Sequence, residues 1–107
     1  MYSIEQIQSI VKPIAEKYRL PAVYLFGSYA RGTQREDSDI DFLVDTTGTE
    51  LKGLFALGGL YADLEDAFRV PVDMVTLGSV QQPSQRSAER YFKENVLRER
   101  KMIYADS

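Results

Sequence analysis

The sequence predicts an α/β chain, in which short strands and amphipathic helices follow one another along 107 residues. Three observations carry that expectation. Apolar runs too short for a helix stand at Ala22–Phe26 and Val72–Val75, bounded by Pro21, Gly27 and Pro71. The segment Asp39-Ile40-Asp41-Phe42-Leu43-Val44 alternates with the period of two that marks a strand. Apolar residues recur at helical spacing over residues 4–18, 51–68 and 87–99.

Taken in order, Ser3 is a helix N-cap and Gln6 completes a capping box, with Ile4, Ile7, Val11 and Ile14 on one face. Pro13 removes one ladder hydrogen bond and predicts a bend or split in that helix. Arg19-Leu20-Pro21 leads into the first strand, residues 22–26. Gly27-Ser28 is the sharp turn leaving it, and a short helix after Ser28 gives way to a polar turn over Thr33–Ser38. In the second strand Ile40, Phe42 and Val44 line the core, while Asp39 and Asp41 project from the other face. Residues 51–68 read as a core helix bearing Leu54, Phe55, Leu57, Leu60 and Leu64. Its Gly58-Gly59 pair disfavours helix by about 1 kcal/mol per glycine, which implies close packing or a local break. A third strand at Val72–Val75 is followed by a loop over Leu77–Ser84 and a last helix from Ser87 to about Glu99. Ala88, Tyr91, Phe92 and Val96 form its packed side, and Lys101–Tyr104 makes an edge strand. Tyr24, Tyr61 and Tyr91 read as core or core-edge residues, whereas Tyr29 either packs on the surface or stacks on a nucleotide base.

The chemistry concentrates between residues 27 and 41. A turn without Cβ at Gly27 lets backbone approach a ligand, and the N–H groups from Gly27 and Ser28 onward suit a phosphate. Asp39 and Asp41, two residues apart on a strand, point to the same side and repel, a repulsion that a divalent cation offsets. With no His and no Cys in the chain, the donors are oxygens, which suit Mg²⁺ or Mn²⁺. Mg²⁺ takes few carboxylates and completes its shell with water and substrate phosphates, so a nucleoside triphosphate is the implied substrate. Asp73 interrupts an apolar strand, where an unexplained carboxylate is uncommon. If its strand lies beside the Asp39–Asp41 strand, three carboxylates converge for two-metal nucleotidyl transfer, with Asp73 as base. Arg31 and Arg35 either contact phosphate or pair with Asp37 on the surface.

Composition narrows the classes. One domain with a single core suits 107 residues. No apolar run approaches the roughly 20 residues of a membrane span or forms a signal-peptide core, so a soluble, cytoplasmic protein is expected. The absence of cysteine forbids disulfides and agrees with that location. A net charge of −3 argues against a broad nucleic-acid surface and suits a basic protein partner.

Gly27-Ser28, ten intervening residues and Asp39-x-Asp41, with Ala30-Arg31-Gly32 and Val72-Asp73 around them, resemble the minimal nucleotidyltransferase family of the polymerase β-like superfamily. The resemblance spans most of residues 1–107. It implies a small mixed β-sheet flanked by helices, ATP with Mg²⁺ as donor, and transfer of AMP to a hydroxyl. It implies Asp39, Asp41 and Asp73 as metal-binding and catalytic residues, and Gly27, Ser28 and Arg31 as nucleotide-binding. Stand-alone members of this length resemble the antitoxin halves of pairs encoded beside a HEPN-domain RNase toxin, on which a tyrosine is adenylylated. Two alternatives stay open: a non-catalytic antitoxin that neutralises its toxin stoichiometrically, and a transferase acting on a small-molecule hydroxyl.

Overall fold

The computed structural model describes residues 1–106. Along the chain run α1 (Ile4–Lys17), β1 (Ala22–Phe26), α2 (Gly27–Arg31), β2 (Ile40–Asp45), α3 (Gly53–Ala67), β3 (Val72–Thr76), α4 (Leu77–Gln81), α5 (Ser87–Glu99) and β4 (Lys101–Ala105). The strands form one mixed sheet in the order β3-β2-β1-β4. β1 is antiparallel to β2 and to β4, while β2 and β3 are parallel and joined through α3. Parallel neighbours need a long crossover, and a helix supplies it.

The capping box closes α1 as its sequence requires: the Gln6 N–H donates to Ser3 Oγ at 3.1 Å, and the Ser3 N–H donates to Gln6 Oε1 at 2.8 Å. Pro13 neither splits nor ends the helix, which continues to Lys17. The carbonyl deprived of a partner belongs to the exposed Ser9, and burial of Ile7, Val11 and Ala15 holds the turns on either side. The helix ends on Arg19 at φ 56°, with the Leu20 N–H donating to the Ala15 carbonyl and the Arg19 N–H to that of Glu16. This is a Schellman closure with arginine where glycine is usual.

Two apolar clusters sandwich the sheet. The larger joins Ile7 and Val11 of α1 and Leu60 and Leu64 of α3 to Ile40, Phe42 and Val44. The smaller, on the opposite face, joins Phe26 and Leu43 to Val80 of α4 and Val96 of α5. Leu43 is fully buried there, so the second face of β2 carries core as well as charge. Residues 77–81, expected as loop, form α4, where Thr76 Oγ1 caps the Ser79 N–H at 3.2 Å. Five residues are too few for helical periodicity to register in sequence. α3 is unbroken at Gly58-Gly59, but its apolar pattern overstates its burial: Leu54 is 89% and Phe55 98% exposed. Tyr91 is also exposed, not core. Among the described residues, no helix is long and apolar enough to cross a membrane.

Candidate active site

Three strand ends meet at one point. In the β1–β2 register Phe26 faces Asp41, and in the β2–β3 register Asp41 faces Asp73. Neighbouring residues in register project to the same face, so Asp41 and Asp73 stand side by side on the face that carries the smaller cluster. Asp39 lies one residue before β2, on the same alternation. Gly27 follows Phe26 at φ +69°, and a Cβ on it would collide with Asp41 Oδ2. Glycine is therefore required twice there, by backbone conformation and by the carboxylate against it. From Gly27 the chain enters α2, whose N-cap Phe26 offers no side-chain oxygen, so no side chain caps the first N–H groups.

A cleft of about 420 Å³ opens between this face and α5. Gly27, Arg31, Asp41 and Asp73 line one side of it, and Phe92, Asn95 and Glu99 line the other. Ser28 and Asp39 adjoin the cleft without forming its walls. Burial raises the Asp41 pKa from 3.8 to about 6, helped by the charges of Asp73 and Asp39 and opposed by Arg31. Arg31 is held by Glu99, its Nη1 donating to Oε2 at 3.0 Å, rather than by Asp37. The pair bridges the mouth of the cleft from α2 to α5.

The chemistry of the donors fits a hard divalent cation. All are carboxylate oxygens, and at Asp41 burial first, then the charges of Asp73 and Asp39, disfavour the ionised form, which a divalent cation would offset. The registers set Asp41 beside Asp73, with Asp39 one residue before β2, and no preformed group of three ligating side chains exists among the described residues. That suits Mg²⁺, which takes one or two carboxylates and fills the rest of its shell from water and phosphate.

Tyr29 takes neither place expected of it. It is 2% exposed and belongs to the larger cluster, with its hydroxyl buried and unpartnered. The wall provided by α5 was not foreseen. Phe92, Asn95 and Glu99 recur at spacings of three and four, one helix face, but only the topology reveals that this face covers the carboxylates. Phe92 is steadied edge-to-face by Phe26, with ring centroids 6.1 Å apart.

Residues 7–103 match the family described as nucleotidyltransferase domain. A Methanocaldococcus jannaschii protein, provisionally named a protein adenylyltransferase, is 34% identical over 108 residues, covering 97% of this chain and 99% of its own. Protein adenylyltransferase MntA of Thermococcus cleftensis is 36% identical over 84 residues, covering 75% of this chain and 83% of its own. A crystal structure of the toxin–antitoxin pair MntA–HpeT superposes with a TM-score of 0.65 at 26% identity, covering 100% of this chain and 76% of that one. With the paired aspartates, the glycine turn and the mixed sheet in place, this chain belongs to the nucleotidyltransferase domain family, among its minimal members, and is a nucleotidyltransferase.

Proposed function

We propose that this chain transfers AMP from ATP, with Mg²⁺, to a tyrosine hydroxyl of a HEPN-domain RNase toxin and acts as the antitoxin of that pair. The observation that carries the reading is the cross-strand pairing of Asp41 with Asp73 at the mouth of a cleft, against a glycine turn. The similarity to protein adenylyltransferases and to a toxin–antitoxin pair supports the acceptor and the role.

In this reading the triphosphate lies in the cleft, with backbone N–H groups at Gly27 and Ser28 and the Arg31 guanidinium as donors to its oxygens. Asp39, Asp41 and Asp73 would hold Mg²⁺, which supplies neutralisation of the triphosphate and of the leaving pyrophosphate. The acceptor oxygen bonds to the α-phosphorus as the bond to pyrophosphate breaks. Asp73 takes the hydroxyl proton, and the products are AMP-tyrosine and pyrophosphate. Phe92, at the far wall, offers a ring face to the adenine.

The test is intact mass spectrometry of the toxin encoded beside this chain, after incubation with it, ATP and Mg²⁺. One or more added AMP units are expected, and none with Asp39→Asn/Asp41→Asn. Complex formation without added mass would replace the enzymatic reading with stoichiometric neutralisation. Full transfer by Asp73→Asn would remove the base role from Asp73.

A further inference from the structure

A second concavity, of about 390 Å³, lies between α3 and β3 and shares Asp73 and Met74 with the nucleotide cleft. Asp73 thus stands between two openings, one bordered by α5 and the other by Leu54, Leu57, Gly58 and Tyr61 of α3. The wall of the second opening is fixed: the Tyr61 hydroxyl donates to the Val72 carbonyl at 2.9 Å and ties α3 to the start of β3. Asp73 lies on the edge strand β3, exposed, and so borders both openings.

The surface around this opening has the composition of a protein contact. From Gly53 to Ala62 no residue is charged, yet Leu54 and Phe55 are almost wholly exposed. Contiguous apolar exposure beside a polar centre is uncommon on a surface meant only for water. Gly58 supplies a separate observation. Glycine weakens a helix interior relative to alanine, yet nothing within 4 Å would obstruct a Cβ at this position. Packing within the chain therefore does not demand a glycine there, and its bare backbone leaves the opening room for close approach by another chain. One turn further on, the same helix exposes Glu65 and Asp66, so the rim at the C-terminal end of the apolar patch is acidic, while Lys52 stands exposed at its N-terminal end.

We infer that the first half of α3, from Leu54 to Tyr61, is the docking surface for the acceptor protein, whose hydroxyl reaches Asp73 through the α3 opening while the nucleotide occupies the α5 cleft. The inference rests on the transferase reading for its geometry and goes further in naming the surface. Its occupant is a protein segment that presents large apolar side chains to Leu54, Phe55 and Gly58 and basic ones to Glu65 and Asp66. A small polar acceptor has no use for such a surface. Entry from the side away from the nucleotide matches in-line displacement, where the attacking oxygen approaches opposite the leaving pyrophosphate.

The test measures association of the full chain with the toxin encoded beside it, by calorimetry, together with ATP–Mg²⁺ binding and AMP transfer. Leu54→Ser/Phe55→Ser alters only exposed side chains, and Gly58→Leu fills the opening. Each should weaken association at least tenfold and raise the KM for the toxin with ATP affinity retained; kcat at saturating toxin is retained in Leu54→Ser/Phe55→Ser, whereas Gly58→Leu, which blocks the path to Asp73, also lowers it. Tyr91→Ser, exposed on α5 away from the opening, serves as control and should match the unmodified chain. Wild-type affinity in both α3 variants, or no association with the unmodified chain, would overturn the inference. A complex that forms but gains no AMP would remove the transferase reading alone, and the association data would still decide the surface.

Discussion

At Asp41, partial burial and the neighbouring Asp73 and Asp39 carboxylates lift the pKa from 3.8 to about 6, so at neutral pH the folded chain holds a charge that the unfolded chain solvates more easily. Because the folded value is the higher one, this group's contribution to stability is complete below about pH 4 and is lost as pH rises through about 6. Asp41→Asn should therefore melt higher than the unmodified chain at pH 7 without Mg²⁺, with the difference shrinking toward pH 4, and should abolish transfer. Melting curves across that range check it. Gly27→Ala meets Asp41 Oδ2 and a strained φ together, so a loss of about 2 kcal/mol or more is expected in denaturant titration, along with the activity. Tyr29→Phe removes a buried hydroxyl that has no partner and should stabilise by about 1 kcal/mol, with transfer unchanged. A loss of transfer in that variant would return Tyr29 to the site.

Helices in this chain are closed by different devices, and two of them leave stability unclaimed. α1 begins in a complete capping box but turns out of its last turn through Arg19 at φ 56°, a conformation that suits glycine. Arg19→Gly should raise stability by about 1 kcal/mol, read as a shift of the denaturation midpoint without change of slope. In α3, Gly58→Ala has open space for its methyl group and should gain about 1 kcal/mol, a rise of about 4 °C in melting temperature. If helical stability were all that mattered at this position, alanine would be the better residue. α4 has a device of its own, a Thr76 cap that turns the chain directly from β3 onto the second face of the sheet.

At the scale of the whole molecule, the sheet is a partition: the larger cluster stabilises it from one side, and the smaller cluster sets α4 and α5 over the aspartates on the other. Leu43→Ala, at the centre of the smaller cluster, should cost about 3 kcal/mol and also weaken nucleotide binding, because α5 loses its seat. Val11→Ala, in the larger cluster, should lower stability alone, and equal effects on nucleotide affinity would refute this division. Much of this arrangement was legible along the chain. The Ser3–Gln6 cap, the strands at 22–26 and 72–75, the glycine turn and the spacing of Asp39 and Asp41 all depend on neighbours within a few residues, and local sterics and hydrogen bonding decide them. The burial of Tyr29, the exposure of Leu54, Phe55 and Tyr91, and the presence of α4 were not legible. An apolar residue at helical spacing states a periodicity, and which part of that face is covered depends on the elements packed against it. Local neighbours along the chain set every element but α4, and with them the chemical character of the site: glycine turn, paired carboxylates, no soft ligands. Tertiary packing was needed to set Asp73 in register with Asp41, to bring α5 over the cleft and to leave a second concavity between α3 and β3. Strand order and register come from the pairing of segments distant along the chain, as far apart as Ala22 and Ala105, a long-range choice made by the burial of both sheet faces at once.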